Sequence, residues 1–214
     1  MEISEWKALV RAARPFYTAD GANGWSHIRA VMRQGEHMIG ATQHRSLTAP
    51  EVAAVLFHDS AVKELGKKHH AERGAVLAAT VLFEHALLSE EEIAEVAKAI
   101  AEHDSKEQEK STDLSDFLAS ADFSPMDIVF IAKKSLDKNY QRITKQYGEN
   151  EANWRQAAVA ASIYVNEAYG LCSNRLFPRL YQNFYKDQIA SVRLLASKLD
   201  YTAFLSLIGK EEWA

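Results

Sequence analysis

The sequence predicts an all-α protein that folds as a single helical bundle. Apolar residues recur at intervals of three and four along nearly the whole chain, whereas runs that alternate apolar and polar residues are almost absent. The chain has 214 residues, of which 47% are hydrophobic and 25% charged, as is typical of one globular domain. We therefore expect a single domain over residues 1–214.

Charge and composition argue against several classes of protein. With 25 Lys and Arg against 29 Asp and Glu, the net charge is −4, whereas proteins that bind long nucleic acids usually carry a basic excess. The amino terminus lacks a basic region followed by an apolar one, and no apolar run approaches the length of a membrane span. We expect a cytoplasmic protein that binds neither long nucleic acid nor membrane.

The helices that carry polar residues at their ends can be placed in order. One helix is predicted to begin near Ser26, after the helix breakers Gly21 and Gly24, so that His27 lies in its first turn. Capping boxes, in which a hydroxyl residue precedes a carboxylate by three positions, mark two further helix starts, Thr48 with Glu51 and Ser89 with Glu92. The first of these two helices ends at His58-Asp59 and the second at His103-Asp104.

Between those two helices, another is predicted to begin after residues 66–69, with His70 near its start. Its predicted apolar stripe consists of Ala75, Val76, Ala79 and Leu82. A later helix contains Asp122 near its end, and Ser124-Pro125 suits the start of the next. Helices rich in aromatic residues are then predicted near 127–146, 151–173 and 180–199, where the rings are expected to pack a core.

Candidate metal ligands therefore stand at the ends of several helices. Side chains at helix ends can converge on a cavity from different directions, and imidazole and carboxylate are common ligands of divalent metals. The set comprises His27, His58, Asp59, His70, His103 and Asp122. This arrangement favours a metal site.

The order of these residues resembles the HD-domain metal-dependent phosphohydrolase superfamily. The resemblance covers roughly residues 24–125 and implies that His27, His58, Asp59 and Asp122 bind one divalent ion. His70, four residues before Gly74, and His103 look like the added histidines of members that hold two ions. The resemblance also implies an HD-type helical domain, in which C-terminal helices from 126–214 pack on a metal-site core at about 24–125.

Two positions depart from the pattern of the superfamily. Many members have an arginine three residues after the first histidine, where this chain has Ala30, and often a basic residue after the distant aspartate, where this chain has Phe123. Contacts to the substrate are therefore expected to differ.

The resemblance implies hydrolysis of a small phosphorylated metabolite, above all a nucleotide or nucleoside triphosphate. A divalent ion would activate water for attack on phosphorus, and Mn, Mg, Co, Ni, Fe and Zn all remain possible as that ion. The residues expected to take part in catalysis are Asp59, Lys63, Glu64, His70 and His103, with Glu64 as a candidate acid or base. If His70 and His103 do not bind a second ion, they could contact the phosphate or protonate the leaving group. Lys63 is the cation closest after the His58-Asp59 pair and, with Lys67, Lys68 and Arg73, forms a predicted phosphate-binding patch.

Two other functions stay open. Some members of the superfamily use the ligand order His, His-Asp, His, His, Asp to hold two irons and oxidise organic substrates, and this chain has that order. The chain could instead be a nucleotide-binding regulatory module that has lost turnover, because Ala30 and Phe123 fall at positions that handle substrate. The sequence leaves the number of ions, the exact substrate and the oligomeric state open.

Overall fold

A computed structural model describes residues 2–18, 24–62, 69–104, 111–122, 128–148, 150–172, 186–187, 190, 194, 198 and 200–213. Within these ranges the regular structure is entirely helical, which confirms the all-α prediction. The chain divides into two compact units, made up of the described residues 2–122 and of the described residues 128–213. None of the described helices is both long and apolar enough to span a membrane.

The described residues of the first unit form six α-helices, and α3 lies at their centre. They are α1 (Ile3–Ala13), α2 (Trp25–Gln43), α3 (Ala49–Phe57), α4 (His70–Glu84), α5 (Glu90–Glu102) and α6 (Asp113–Asp122). Every residue of α3 from Glu51 to Phe57 is buried, as expected for a helix that is apolar all round. The other five helices all pack against it. His58 and Asp59, the polar residues that follow α3, therefore lie in the middle of this unit.

Local signals fixed the starts of these helices where they were predicted. Both capping boxes form, with Thr48 before α3 and Ser89 before α5, and the side chain of each accepts from the backbone N–H three residues later. Helix α2 begins at Trp25 and places His27 in its first turn, while α4 begins at His70. The predicted stripe of α4 was partly wrong, because Val76 is 69% exposed. The buried face of α4 is rotated and includes Ala71, Gly74, Ala78 and Val81.

The described residues of the second unit form a helical hairpin and one further short helix. Helices α7 (Ile128–Tyr147) and α8 (Glu151–Cys172) pack together, and α9 (Tyr201–Ile208) packs on both. Gly148 follows α7 with a φ of +81°, a left-handed conformation that glycine adopts without strain. The core includes Ala157, Ala161, Phe204 and Leu205. The helices predicted at 127–146 and 151–173 are confirmed, whereas most of the one predicted at 180–199 lies outside the described residues.

Candidate metal centre

Four of the predicted ligands converge in the first unit. His27 Nε2 lies 3.2 Å from His58 Nε2 and 3.0 Å from Asp122 Oδ1. His58 Nε2 is 3.3 Å from Asp122 Oδ1, and Asp59 Oδ2 is 3.6 Å from the Nε2 atom of each imidazole. Because metal bonds to N and O are about 2.1 Å long, adjacent ligand atoms around one ion are separated by about 3.0–3.4 Å. The donor atoms of His27, His58 and Asp59 lie within 4.8 Å of one another and could therefore hold one shared ion. Asp122 Oδ1 lies beside both imidazoles and is the fourth member of this first donor group (His27, His58, Asp59, Asp122).

Asp59 also belongs to a second donor group, with His70 and His103. Its Oδ1 atom lies 3.3 Å from His70 Nε2, while its Oδ2 atom is the one that faces the first group. One ligand atom each from Asp59, His70 and His103 fall within 4.8 Å of one another. The ring of His103 lies edge-on to the rings of His58 and His70, with centroids 5.2 and 5.1 Å away. One carboxylate thus stands between two groups that could each bind a metal ion.

The ends of α3 and α5 orient two of the histidines in the same way. His58 follows α3 and His103 follows α5, each as the helix C-cap. The Nδ1 atom of each ring lies close to the carbonyl oxygen three residues earlier, 2.9 Å from Val55 O and 2.6 Å from Ile100 O. A carbonyl only accepts hydrogen bonds, so Nδ1 carries the proton and Nε2 is the nitrogen available to a metal. The carbonyls of Val55 and Ile100, near the helix ends, therefore set the tautomers of both rings.

A glycine lets α4 approach the end of α3. A Cβ atom at Gly74 would lie 3.0 Å from the His58 carbonyl oxygen and 3.6 Å from that of Phe57. Gly74 therefore lies against the end of α3 at His58, where the absence of a side chain permits the close approach. His70 lies one turn earlier on α4 and faces Asp59, whereas the side chain of His69 is 67% exposed. Of these two neighbouring histidines, His70 is therefore the one that faces the cluster.

Buried opposite charges shift the pKa values in this cluster. Burial alone would lower the pKa of His58, but the carboxylates of Asp122 and Asp59 raise it to about 9. Burial alone would raise the pKa of Asp122, yet His58 and His27 hold it well below its usual range. Burial, with His58 nearby, lowers the pKa of His103. Without a metal, His58 is therefore protonated on both ring nitrogens and positively charged at neutral pH, whereas His103 is a neutral imidazole.

The cluster is open on one side. His58, Asp59 and His103 are buried, whereas the side chains of His27 and Asp122 are 24% and 28% exposed. A water molecule or a small ligand can therefore reach the first donor group where α2 begins and α6 ends.

The expected substrate contacts are less well defined than the ligands. Lys63, Glu64, Lys67, Lys68 and Phe123 lie outside the described residues. Arg73 is half-buried on α4, and its Nε atom donates to the His69 carbonyl at 3.2 Å. Ala30 is exposed. The six predicted ligands are thus brought together, while Lys63 and Glu64 stay predictions.

Tyr17 also belongs to this region, although no sequence pattern pointed to it. Its hydroxyl is buried and donates to the Leu56 carbonyl oxygen at 2.8 Å, two residues before His58. Burial and the charge of Asp59 raise the pKa of this phenol well above its ordinary value. No periodicity or motif links residues 39 positions apart, so no local signal was available to find it.

Comparison of the chain with protein-family models, with curated proteins and with solved structures finds no match.

Proposed function

We propose that the protein is a divalent-metal-dependent phosphohydrolase that acts on a small phosphorylated metabolite, a nucleotide or nucleoside triphosphate in particular. The observation that carries the proposal is the position of Asp59 between two donor groups, with one carboxylate oxygen directed to each. Paired sites of this kind suit in-line displacement at phosphorus, where divalent ions acidify water and withdraw charge from a phosphoryl oxygen.

The chemistry of the donors narrows the choice of metal. Four imidazoles and two carboxylates, without a thiolate, favour Mn, Fe, Co, Ni or Zn over Mg, which prefers oxygen ligands. The first group has four donor residues and the second has three, with Asp59 in both, so an ion held by either group would have room for water and a substrate oxygen. We propose one ion in the first group and a second in the other.

We assign a role to each residue of the cluster from how deeply its side chain is buried. Asp59 is buried and holds the two groups in register, while neutral His103 presents Nε2 as a ligand. The exposed edges of His27 and Asp122 mark the side on which the substrate would approach. On this basis we assign His70 and His103 to metal binding rather than to protonation of a leaving group. Lys63 and Glu64 remain the proposed phosphate contact and proton carrier.

Product analysis tests the proposal directly. The purified protein, loaded with Mn, Co, Ni, Fe or Zn, would be incubated with a panel of nucleotides, and released phosphate, pyrophosphate and triphosphate would be separated. We expect metal-dependent hydrolysis that is lost in Asp59→Asn, with the helical circular dichroism unchanged. Asp137→Ala is the matched control, because this exposed acid lies on α7 in the other unit. Full hydrolysis by Asp59→Asn would refute the proposed site.

A di-iron oxygenase is the second candidate, favoured by the same shared carboxylate and by the presence of four histidines. Elemental analysis by mass spectrometry and the visible spectrum of freshly purified protein separate the two enzymes. Two irons per chain with an oxo-bridge absorption band would support the oxygenase, whereas metal-dependent release of phosphate would support the hydrolase. Tight nucleotide binding with neither activity would favour the regulatory module.

A further inference from the structure

The carbonyl groups at the end of α3 are all accounted for, and one of them has a distant partner. Ala54 O accepts from the His58 backbone N–H at 3.1 Å, and Phe57 O accepts from that of Ser60 at 3.1 Å. Val55 O accepts from the His58 ring. Leu56 O accepts from the hydroxyl of Tyr17, 39 residues earlier. Three of the four partners are therefore local, and only Tyr17 comes from another part of the unit.

The phenol of Tyr17 is held firmly at this point. Tyr17 is the C-cap of a short 3-10 helix, Arg14–Phe16, and Arg14 donates from Nη1 to its carbonyl oxygen at 3.1 Å. The Tyr17 ring lies 6.0 Å from that of Trp25, the first residue of α2, and the Arg14 guanidinium lies 5.2 Å from the same indole. The ring is buried, so rotation of the hydroxyl away from Leu56 would leave both groups without water to replace the bond.

The same hydroxyl also meets the backbone of a ligand. The backbone of Asp59 lies close enough to the phenol oxygen to lower the pKa of Tyr17. In a continuous helix the Asp59 N–H would bond to the carbonyl of Val55, four residues earlier, but the His58 ring bonds to that carbonyl instead. The hydroxyl thus bonds to the backbone at Leu56 and lies beside the backbone at Asp59, on the two sides of His58.

We propose that Tyr17 is a positioning residue of the metal centre, whose hydroxyl fixes the turn that presents His58 and Asp59 to the ion. This inference rests on the proposed metal site. Partners that orient metal ligands typically change metal affinity about 10–100-fold when they are removed. Tyr17 acts through the backbone at Leu56, two residues before His58, and beside Asp59. Loss of the hydroxyl is therefore expected to change the geometry around the bound ion as well as the affinity for that ion.

The test compares Tyr17→Phe with the wild-type protein and with Tyr140→Phe. Phenylalanine keeps the ring and removes only the hydroxyl. Tyr140 is half-buried in the second unit, which makes its substitution a matched loss of a hydroxyl. Each protein is loaded with Co(II), and its visible absorption spectrum and its affinity in a chelator competition are measured. Tyr17→Phe is expected to bind Co(II) about 10-fold more weakly and to shift its visible bands, while Tyr140→Phe matches the wild type.

Other outcomes separate this inference from the function on which it rests. An unchanged spectrum together with an affinity within twofold of wild type would overturn the role of Tyr17, even if its thermal midpoint fell. A tyrosinate-to-iron charge-transfer band in the Fe(III)-loaded wild type, absent from Tyr17→Phe, would also overturn it, because Tyr17 would then be a ligand. Failure of the wild type to bind any divalent ion would instead refute the proposed function.

Discussion

Substituting alanine for Gly74 should separate binding of the second metal from binding of the first. The new Cβ would lie 3.0 Å from the His58 carbonyl oxygen, whereas ordinary contacts begin at 3.4 Å. That carbonyl belongs to the backbone at the end of α3 and cannot rotate away as a flexible side chain would. Helix α4 must therefore withdraw by about 0.4 Å, the difference between these two distances.

This shift is expected to change the free energy of unfolding and the affinity for metal by different amounts. Overpacking a helix contact costs about 1–3 kcal/mol, and replacing glycine in a helix returns about 1 kcal/mol, so a net loss of about 0–2 kcal/mol is expected. His70 moves with α4, and metal ligands tolerate errors of only about 0.2 Å in position. We expect binding of the second ion to weaken about 10–100-fold, by analogy with the loss of supporting groups around metals.

Gly40→Ala provides the matched control on α2. No atom lies within 4 Å of a Cβ at this position, so this variant should gain about 0.5–1 kcal/mol of stability and bind metal as the wild type does. Urea unfolding gives the stabilities, and mass spectrometry after dialysis against a metal buffer gives the number of bound ions. Gly74→Ala should retain about one ion where the wild type retains two.

Retention of both ions at wild-type affinity by Gly74→Ala would show that the close approach of α4 does not position His70. Equal loss of both ions would contradict the division of the cluster into two groups. A Gly40→Ala variant that also lost metal would show that the assay reports helix substitution in general.

Three further outcomes are expected. Metal binding at pH 7.5 should release about one proton, because the pKa of about 9 keeps His58 protonated without metal; calorimetry in buffers of different ionisation enthalpy measures this release. Because that pKa lies above the 6.5 of an unperturbed histidine, the metal-free protein should also lose stability as pH rises from 6.5 through about 9, which urea unfolding at several pH values would reveal. Gly35→Ala would bring a Cβ to 2.9 Å from Phe117 Cζ between α2 and α6, so binding of the first ion should weaken in a chelator competition.

Helix starts, and the histidines at the ends of α3 and α5, were predictable from the sequence because their signals are local. A capping box operates over three residues, and both boxes, at Thr48 and Ser89, form. The predicted ends of α3 and α5 fall at His58 and His103, which are the C-caps of these helices, and this prediction needs no information about tertiary structure. The convergence of these ends on one cluster followed from the order of residues and from the resemblance, and the geometry of the six ligands agrees with it.

Features that depend on packing between distant segments were not predictable in the same way. The hydrogen bond from Tyr17 to Leu56 exists because α1 and the turn after it pack on α3, and neither segment has a motif that specifies this. The exposure of Val76 has a similar cause. The apolar residues of α4 allow more than one buried face, and contact of Gly74 with the end of α3 selects the face that excludes Val76.

The cluster is held in place before any metal binds, because a proton and backbone carbonyls interact with the side chains that would bind the ion. The proton on His58 supplies positive charge between Asp59 and Asp122, and the carbonyls of Val55 and Ile100 hold the two helix-end imidazoles in place. A divalent ion that bound here would therefore replace a proton at His58, and the site would not have to assemble from separate parts. Metal affinity should rise with pH up to about 9, while the helical content stays constant. A large gain of helix on metal binding would contradict this preorganisation.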